Sequence, residues 1–199
     1  MQKLLLDMRL VILTLLFASN VIFAQESPIY LKFKKNPRYW DGYVVEKNGD
    51  KTWGLIKRQD DDKLSSKVSI VFKDGKKKTF NPSHIDGYGY MGRDFVSTGK
   101  RFLEVVTHGK RISVYKTIVV FQNTFGAGGQ GMPMMHEAEL YYFKKTDDDK
   151  FQSFEKSGFK KEIASYFSDC EMLKDKILNG ELTHKDFSKI AYLYNYECK

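Results

Sequence analysis

The hydrophobic pattern of the chain changes period once. From Ile29 to about Glu155 apolar and polar residues alternate, as they do in strands that bury one face. After Ser157 apolar residues recur every three or four positions, as they do in helices. In the first part, β-prone runs flank turn residues at regular intervals. "YVVEKNGDKTWGLIK" sets two runs around Asn48-Gly49-Asp50, where Asn-Gly offers the positive φ angles of a two-residue hairpin. "KVSIVFKDGKKKTF" repeats the device at Asp74-Gly75 and puts Val68, Ile70 and Phe72 on one face. "FLEVVTHGKRISVYKTIVVF" turns near His108-Gly109-Lys110. Its second arm has Ile112 and Val114 on one side and Ser113, Tyr115 and Thr117 on the other. "AELYYFKKTDDDKFQSF" turns at Asp147-Asp148-Asp149. Short hairpins at this spacing predict an antiparallel sheet that curls or forms a barrel or sandwich.

The helical part divides into three apolar faces. Phe159, Ile163, Tyr166 and Phe167 form the first; Cys170, Leu173 and Ile177 the second; Phe187, Ile190, Ala191, Tyr194 and Cys198 the third. Asn179-Gly180 is a stop for the second helix. Thr183 with Asp186 resembles a capping box opening the third. The predicted fold class is α+β: an antiparallel β body over residues 25–156, then a three-helix C-terminal appendage over 157–199. No low-complexity linker separates them, so the two parts are expected to share a core.

The first 24 residues do not belong to that fold. Lys3 and Arg9 precede the apolar run "LVILTLLFA", interrupted only by Thr14, and "VIFA" ends at a small residue before Gln25. A positive start, a short apolar core and a small residue at the cut make a secretory signal peptide. The run is well short of the roughly 20 residues that cross a bilayer, so no transmembrane span is expected after cleavage. Cleavage removes Lys3, Arg9 and Asp7, leaving 31 basic and 24 acidic residues and a net charge of +7. The expected location is periplasmic or secreted. The basic excess reads as a solvated surface; the alternative is contact with anionic lipid, polysaccharide or peptidoglycan, and nucleic acid is not an expected partner.

Catalytic signatures do not assemble. Gly126-Ala127-Gly128-Gly129-Gln130-Gly131 fits G-x-G-x-x-G. A dinucleotide loop, however, needs a parallel strand before it and a crossover helix after it. Here Met132 and Pro133 follow, then a short run into "YYFKK". The segment reads as a hairpin or edge loop, with Met132, Met134 and Met135 as a soft apolar surface. His84, His108, His136 and His184 show no metal-ligand spacing. Asp60-Asp61-Asp62 and Asp147-Asp148-Asp149 lack the spaced oxygens and fixed glycine of a calcium loop. No Ser lies in a G-x-S-x-G turn. Lys76-Lys77-Lys78 reads as a charged hairpin tip, and such tips block edge-to-edge pairing. Tyr39, Trp40, Tyr43 and Trp53 crowd the first hairpin; in a chain with 12 Tyr and 15 Phe they read as core. No cofactor and no metal is expected.

The two cysteines of an exported chain are expected to pair. Cys170 and Cys198 lie on apolar helical faces, so the disulfide Cys170–Cys198 is predicted. The alternative is two free, buried thiols. A helix hairpin turning near Gly180–Glu181 would set Ala191 opposite Cys170. The bridge therefore requires the last helix to end near Tyr194-Asn195 with the tail turning back, or a steep crossing.

Gly42-Tyr43-Val44-Val45, Gly49-Asp50, Gly54-Leu55-Ile56, the segment Pro82–Tyr88, and the closing Cys170 and Cys198 together resemble a family of uncharacterised exported proteins from Bacteroidota. The resemblance implies a β-rich body, a Cys-containing helical tail and an exported location, and it implies no reaction. The expected function is an exported, non-enzymatic binding or structural module of the cell envelope. Its expected partner is an envelope component or protein of unspecified kind. The alternative is an envelope hydrolase acting on glycan with dispersed carboxylates such as Glu104, Glu137 and Glu139, which would have to face each other at roughly 5–9.5 Å. Mass spectrometry of the exported product should give a chain starting at Gln25; retention of Met1 would instead indicate a membrane anchor.

Overall fold

A computed structural model describes residues 26–125, 132–154 and 158–198. Residues 1–24, read above as the signal, and the Gly126–Gly131 loop lie outside the described residues. The rest form one open ten-stranded antiparallel sheet in the order β10-β9-β8-β7-β6-β5-β1-β2-β3-β4. The strands are β1 (Tyr39–Val45), β2 (Lys51–Lys57), β3 (Val68–Phe72), β4 (Lys77–Phe80), β5 (Gly87–Tyr90), β6 (Arg93–Ser97), β7 (Phe102–Thr107), β8 (Ile112–Phe125), β9 (Met132–Lys145) and β10 (Gln152–Ser153). Because β10 and β4 are both edges, the sheet does not close into a barrel.

Helices flank both faces. Helix α1 (Pro28–Lys34) precedes β1, α2 (Asp61–Leu64) joins β2 to β3, and α3 (Phe159–Tyr166), α4 (Glu171–Leu178) and α5 (Phe187–Tyr196) follow the sheet. The segment around Ile29 was expected to begin the strands, yet it is helical. Ser27 caps it by accepting from the Tyr30 N–H at 3.1 Å, and Pro28 takes a first-turn position where it has no hydrogen bond to lose. Its Tyr30 packs on Leu55 and Val71.

The opposite sheet face carries two cores. In one, Val44, Ile56, Ile70, Tyr88, Phe95 and Phe102 meet under Leu64 of α2. Tyr88 stacks on Phe95 at 4.4 Å and donates its hydroxyl to the Leu64 carbonyl at 3.0 Å. In the other, Ile112, Val114 and Phe143 pack beneath the three C-terminal helices, against Ile163, Phe167, Leu173, Ile177 and Ile190. The appendage thus shares a core with β8 and β9.

The turns correct the sequence reading in detail. Glu46 donates its N–H to Asp50 O, and only Gly49, at φ +87°, is left-handed. This is a three-residue loop with a glycine bulge, where Asn-Gly had suggested a two-residue turn. Gly75 repeats it at φ +87°. The two-residue turn with both positive φ angles is Met91-Gly92, joining β5 to β6. That hairpin is hidden in the sequence because its strand β5 contains Gly87 and Gly89. A Cβ on Gly89 would lie 2.6 Å from both Tyr43 Cζ and Asp94 Oδ1, so packing excludes the side chains that would have marked a strand. Helix α5 begins at Phe187 with Asp186 as N-cap; Asp186 accepts from the Thr183 N–H at 2.8 Å within the preceding turn, so the expected capping box closes a turn and does not open the helix.

Cys170 and Cys198 lie at disulfide-bonding distance, with Cα atoms 5.5 Å apart. Cys170 is the N-cap of α4 and not part of a helical face. The connection between α4 and α5 runs from Asn179 to Asp186, which absorbs most of the excess length that a tight turn at Gly180 would have left. The remainder is taken up as α5 ends at Tyr196 and Cys198 turns back, its N–H reaching Leu193 O at 3.1 Å. Replacing both cysteines with serine should lower stability by about 3–4 kcal/mol in the chain-entropy model. Urea unfolding of oxidised wild type and the double variant checks this, with an unchanged midpoint excluding a stabilising bridge.

Candidate functional site

Three groups of polar side chains stand out, and their partners separate structure from function. The first joins the helices to the sheet. Asn195 Oδ1 accepts from the Arg111 and Ile112 N–H groups at 2.9 and 3.1 Å, and its Nδ2 donates to Ile112 O and Ala191 O, each at 2.9 Å. A Cβ on Gly109 would overlap that amide, so glycine is required there. Arg111 lies over the Tyr194 ring and donates to the Tyr194 carbonyl at 3.1 Å. Lys145 Nζ donates to Asp169 Oδ1 at 2.9 Å, and the Tyr194 hydroxyl donates to Asp169 Oδ2. Burial works to raise the Asp169 carboxyl, but hydrogen bonds from Tyr194 and Lys145 outweigh it and hold the group below the ordinary 3.8. Every member has a protein partner, so this cluster is a clamp.

The second group lies between the two cores. Arg93 forks onto Glu104, Nε to Oε1 at 2.9 Å and Nη2 to Oε2 at 2.7 Å. Lys116 donates to Glu139 at 2.9 Å, and the Tyr141 hydroxyl donates to the other Glu139 oxygen at 2.7 Å. The Lys116 bond, then the Tyr141 bond, hold the Glu139 carboxyl below its usual range. Tyr141 in turn stacks on Phe187 at 4.4 Å. Two of the three carboxylates considered for hydrolysis are therefore paired with cations, and Glu137 is exposed two residues before Glu139 on β9.

The third group is a cleft of about 690 Å³ on the far face of the sheet, broadly open to solvent. One wall is the β6–β7 turn, with Thr98, Lys100 and Arg101; the other is the β9–β10 turn, with Asp149, Lys150 and Phe151. Tyr115 of β8 and its cross-strand partner Tyr142 of β9 lie between, with Lys144 two positions on. The Thr98 hydroxyl accepts the Arg101 N–H at 3.1 Å and shapes the first turn. Phe151 meets Tyr115 edge-on at 4.9 Å, and Lys144 sits 5.3 Å from the Phe151 ring. Four cations face two acids, one of which, Asp86, is held by Lys47 at 2.7 Å. Among the described residues Lys100, Arg101, Lys144 and Lys150 form no ion pair.

Other sequence features are placed apart from one another. His84 is exposed, His108 Nδ1 lies 3.2 Å from Ser113 Oγ, His136 stands opposite Phe121, and His184 touches Phe159. Asp60 stands at the N-cap position of α2 without a side-chain capping bond and pairs with Lys63, and Asp148 accepts from Tyr166 at 2.5 Å. Lys76 pairs with Asp74, while Lys77 and Lys78 lie over Phe33 and Phe80. The aromatic group at the first hairpin was expected to be core, but Trp53 is 57% and Trp40 39% exposed. Tyr43 packs on Trp53 and donates to Asp94 at 2.5 Å; burial first, then this bond, push its hydroxyl up to about 12. The strands flanking the glycine-rich segment pair antiparallel from Ile112↔Lys145 to Phe125↔Met132, the opposite of a dinucleotide-binding crossover. Met135 is exposed there; the side chains of Met132 and Met134 lie outside the described residues. The cleft cations escaped sequence reading because they come from three separate segments, and none has a local motif.

No protein-family model, curated protein or solved structure matches the chain. Among the described residues no helix is long and apolar enough to cross a membrane.

The clamp makes a prediction with a definite sign. The folded Asp169 carboxyl sits below its unfolded value, so its stabilisation is complete above about pH 4 and is lost as pH falls through the folded value. Asp169→Asn should destabilise the protein at pH 6, on the scale of about 0.2–1 kcal/mol for a half-exposed pair. The gap to wild type should narrow at pH 3. Urea unfolding at both pH values tests this, and a gap that widens in acid would contradict it.

Proposed function

We propose that the mature chain is an exported, non-enzymatic binding module of the cell envelope, and that it holds its ligand in the cleft between the β6–β7 and β9–β10 turns. The carrying observation is the set of four cations in that cleft without ion partners, when the clamp and the seam between the cores pair their charges internally. Four cations against Asp86 and Asp149, with Asp86 already held by Lys47, leave the cleft net positive, an excess that an anionic partner offsets. The signal-like residues 1–24 support export. So does the Cys170–Cys198 pair, since disulfides persist in oxidising compartments. The resemblance to exported Bacteroidota proteins points to the same compartment.

The hydrolase reading has less support. A glycosidase acid must stay protonated near neutral pH, which requires a raised pKa. Glu139 is shifted the other way, and Glu104 is engaged by the Arg93 fork. Co-sedimentation with isolated envelope tests the binding-module reading. The purified chain from Gln25 to Lys199 should pellet saturably and be released by about 0.5 M salt, which screens charges within a few ångströms. A chain that stays in the supernatant at every envelope concentration would refute the reading.

A further inference from the structure

The composition of the cleft narrows the ligand beyond a generic anion. Its volume of about 690 Å³ falls within the roughly 300–1,000 Å³ of small-ligand sites, too large for a single inorganic ion. Its middle is aromatic: Tyr142 and Phe151 are half-buried and offer ring surface, beside the largely buried Tyr115 across β8 and β9. Neither phenol hydroxyl has a hydrogen-bond partner among the described residues. Both can donate and accept, the capability that sugar hydroxyls complement. Around this amphipathic floor stand Lys100, Arg101, Lys144 and Lys150. Aromatic carbon for the apolar face of a ring, phenols for its hydroxyls and cations for acidic substituents together describe a charged sugar.

We infer that the cleft binds an acidic oligosaccharide, one whose sugar units carry carboxylate or phosphate groups. The inference rests on the binding-module reading above and specifies its ligand class. An extended peptide fits less well. The cleft lies on the face of the sheet, where strand side chains project, and so offers no free strand edge for main-chain pairing. A flat lipid surface fits less well too, since the cations converge on a concavity between two turns.

Titration calorimetry on the purified chain from Gln25 to Lys199, at low salt, tests the assignment with defined probes. These are trigalacturonate, its methyl ester, glucose 6-phosphate, glucose and triglutamate. At least one of the two acidic sugars should bind more tightly than its neutral counterpart by about tenfold or more, the scale of one charge-assisted hydrogen bond. Which acidic sugar binds separates a uronate source from a phosphosugar source. Arg101→Gln combined with Lys144→Gln should weaken that binding by about tenfold or more. Lys76→Gln with Lys78→Gln, an equal loss of charge at the β3–β4 hairpin, should leave it unchanged. The assignment is overturned if neither acidic sugar outbinds its neutral form, if the remote pair weakens binding equally, or if triglutamate binds as tightly. Envelope retention that survives Arg101→Gln/Lys144→Gln would reject the cleft as the envelope-binding site, and the acidic sugar with it, while leaving envelope binding through another surface. Failure of the unsubstituted chain to sediment with envelope would reject the module itself.

Discussion

Strand β8 is the member on which the rest of the molecule depends, because its alternation serves both faces at once. Ile112 and Val114 enter the core beneath the helices, and Lys116 continues on that side into the pair with Glu139. Between them, Tyr115 projects into the cleft. The period of two leaves little freedom: a register slip of one residue would put Tyr115 under the helices and Val114 in the cleft. Register is fixed at the start of the strand by Asn195, which takes the Arg111 and Ile112 N–H groups and returns a bond to Ile112 O. A side chain from the last helix thereby acts as a further strand partner.

The same connection explains why the appendage does not behave as a tethered bundle. Its helices are only eight to ten residues long, below the length at which isolated helices hold in water. Their stability comes from burying one face on β8 and β9 and from polar contacts of fixed geometry around Asp169, Lys145 and Arg111. The Cys170–Cys198 link closes the second and third helices into one unit near that clamp. Polar groups here give a unique docking angle, while the apolar contacts supply most of the driving force.

Charge is handled in two ways. In the seam between the cores Arg93 pairs with Glu104 and Lys116 with Glu139; the Arg93–Glu104 pair is the more buried, so leaving one of its members unpartnered costs more. On the far face the cations around Tyr115 and Tyr142 have no such partners and are screened by water and salt. The contrast within one sheet is what makes the cleft stand out in a chain whose basic excess is spread along its length.

Sequence alone determined the class of most segments, though not of the helix at Pro28–Lys34. Alternation marked the hairpins of β1–β2, β3–β4, β7–β8 and β9–β10, and the change of period after Ser157 marked three helices, because both signals are local and depend on neighbours within one turn or one strand. With two cysteines in the chain, Cys170–Cys198 was the one pairing available, and their Cα atoms lie 5.5 Å apart. The tertiary structure decided what local pattern does not carry. Strand β5 is nearly invisible in sequence, since Gly87 and Gly89 are set by the close approach of Phe95, Tyr43 and Asp94 from other strands. Trp53 reads as core by type yet is exposed, because α1 covers its side of the sheet only around Leu55 and Val71. The carboxylates Glu104 and Glu139 look alike in the chain, and only the arrival of Arg93 and Lys116 from neighbouring strands gives each its cation. The cleft is the extreme case: Arg101, Tyr115, Lys144 and Phe151 become neighbours only when β7, β8 and β9 pair, and long-range pairing leaves no local spacing for a sequence to display.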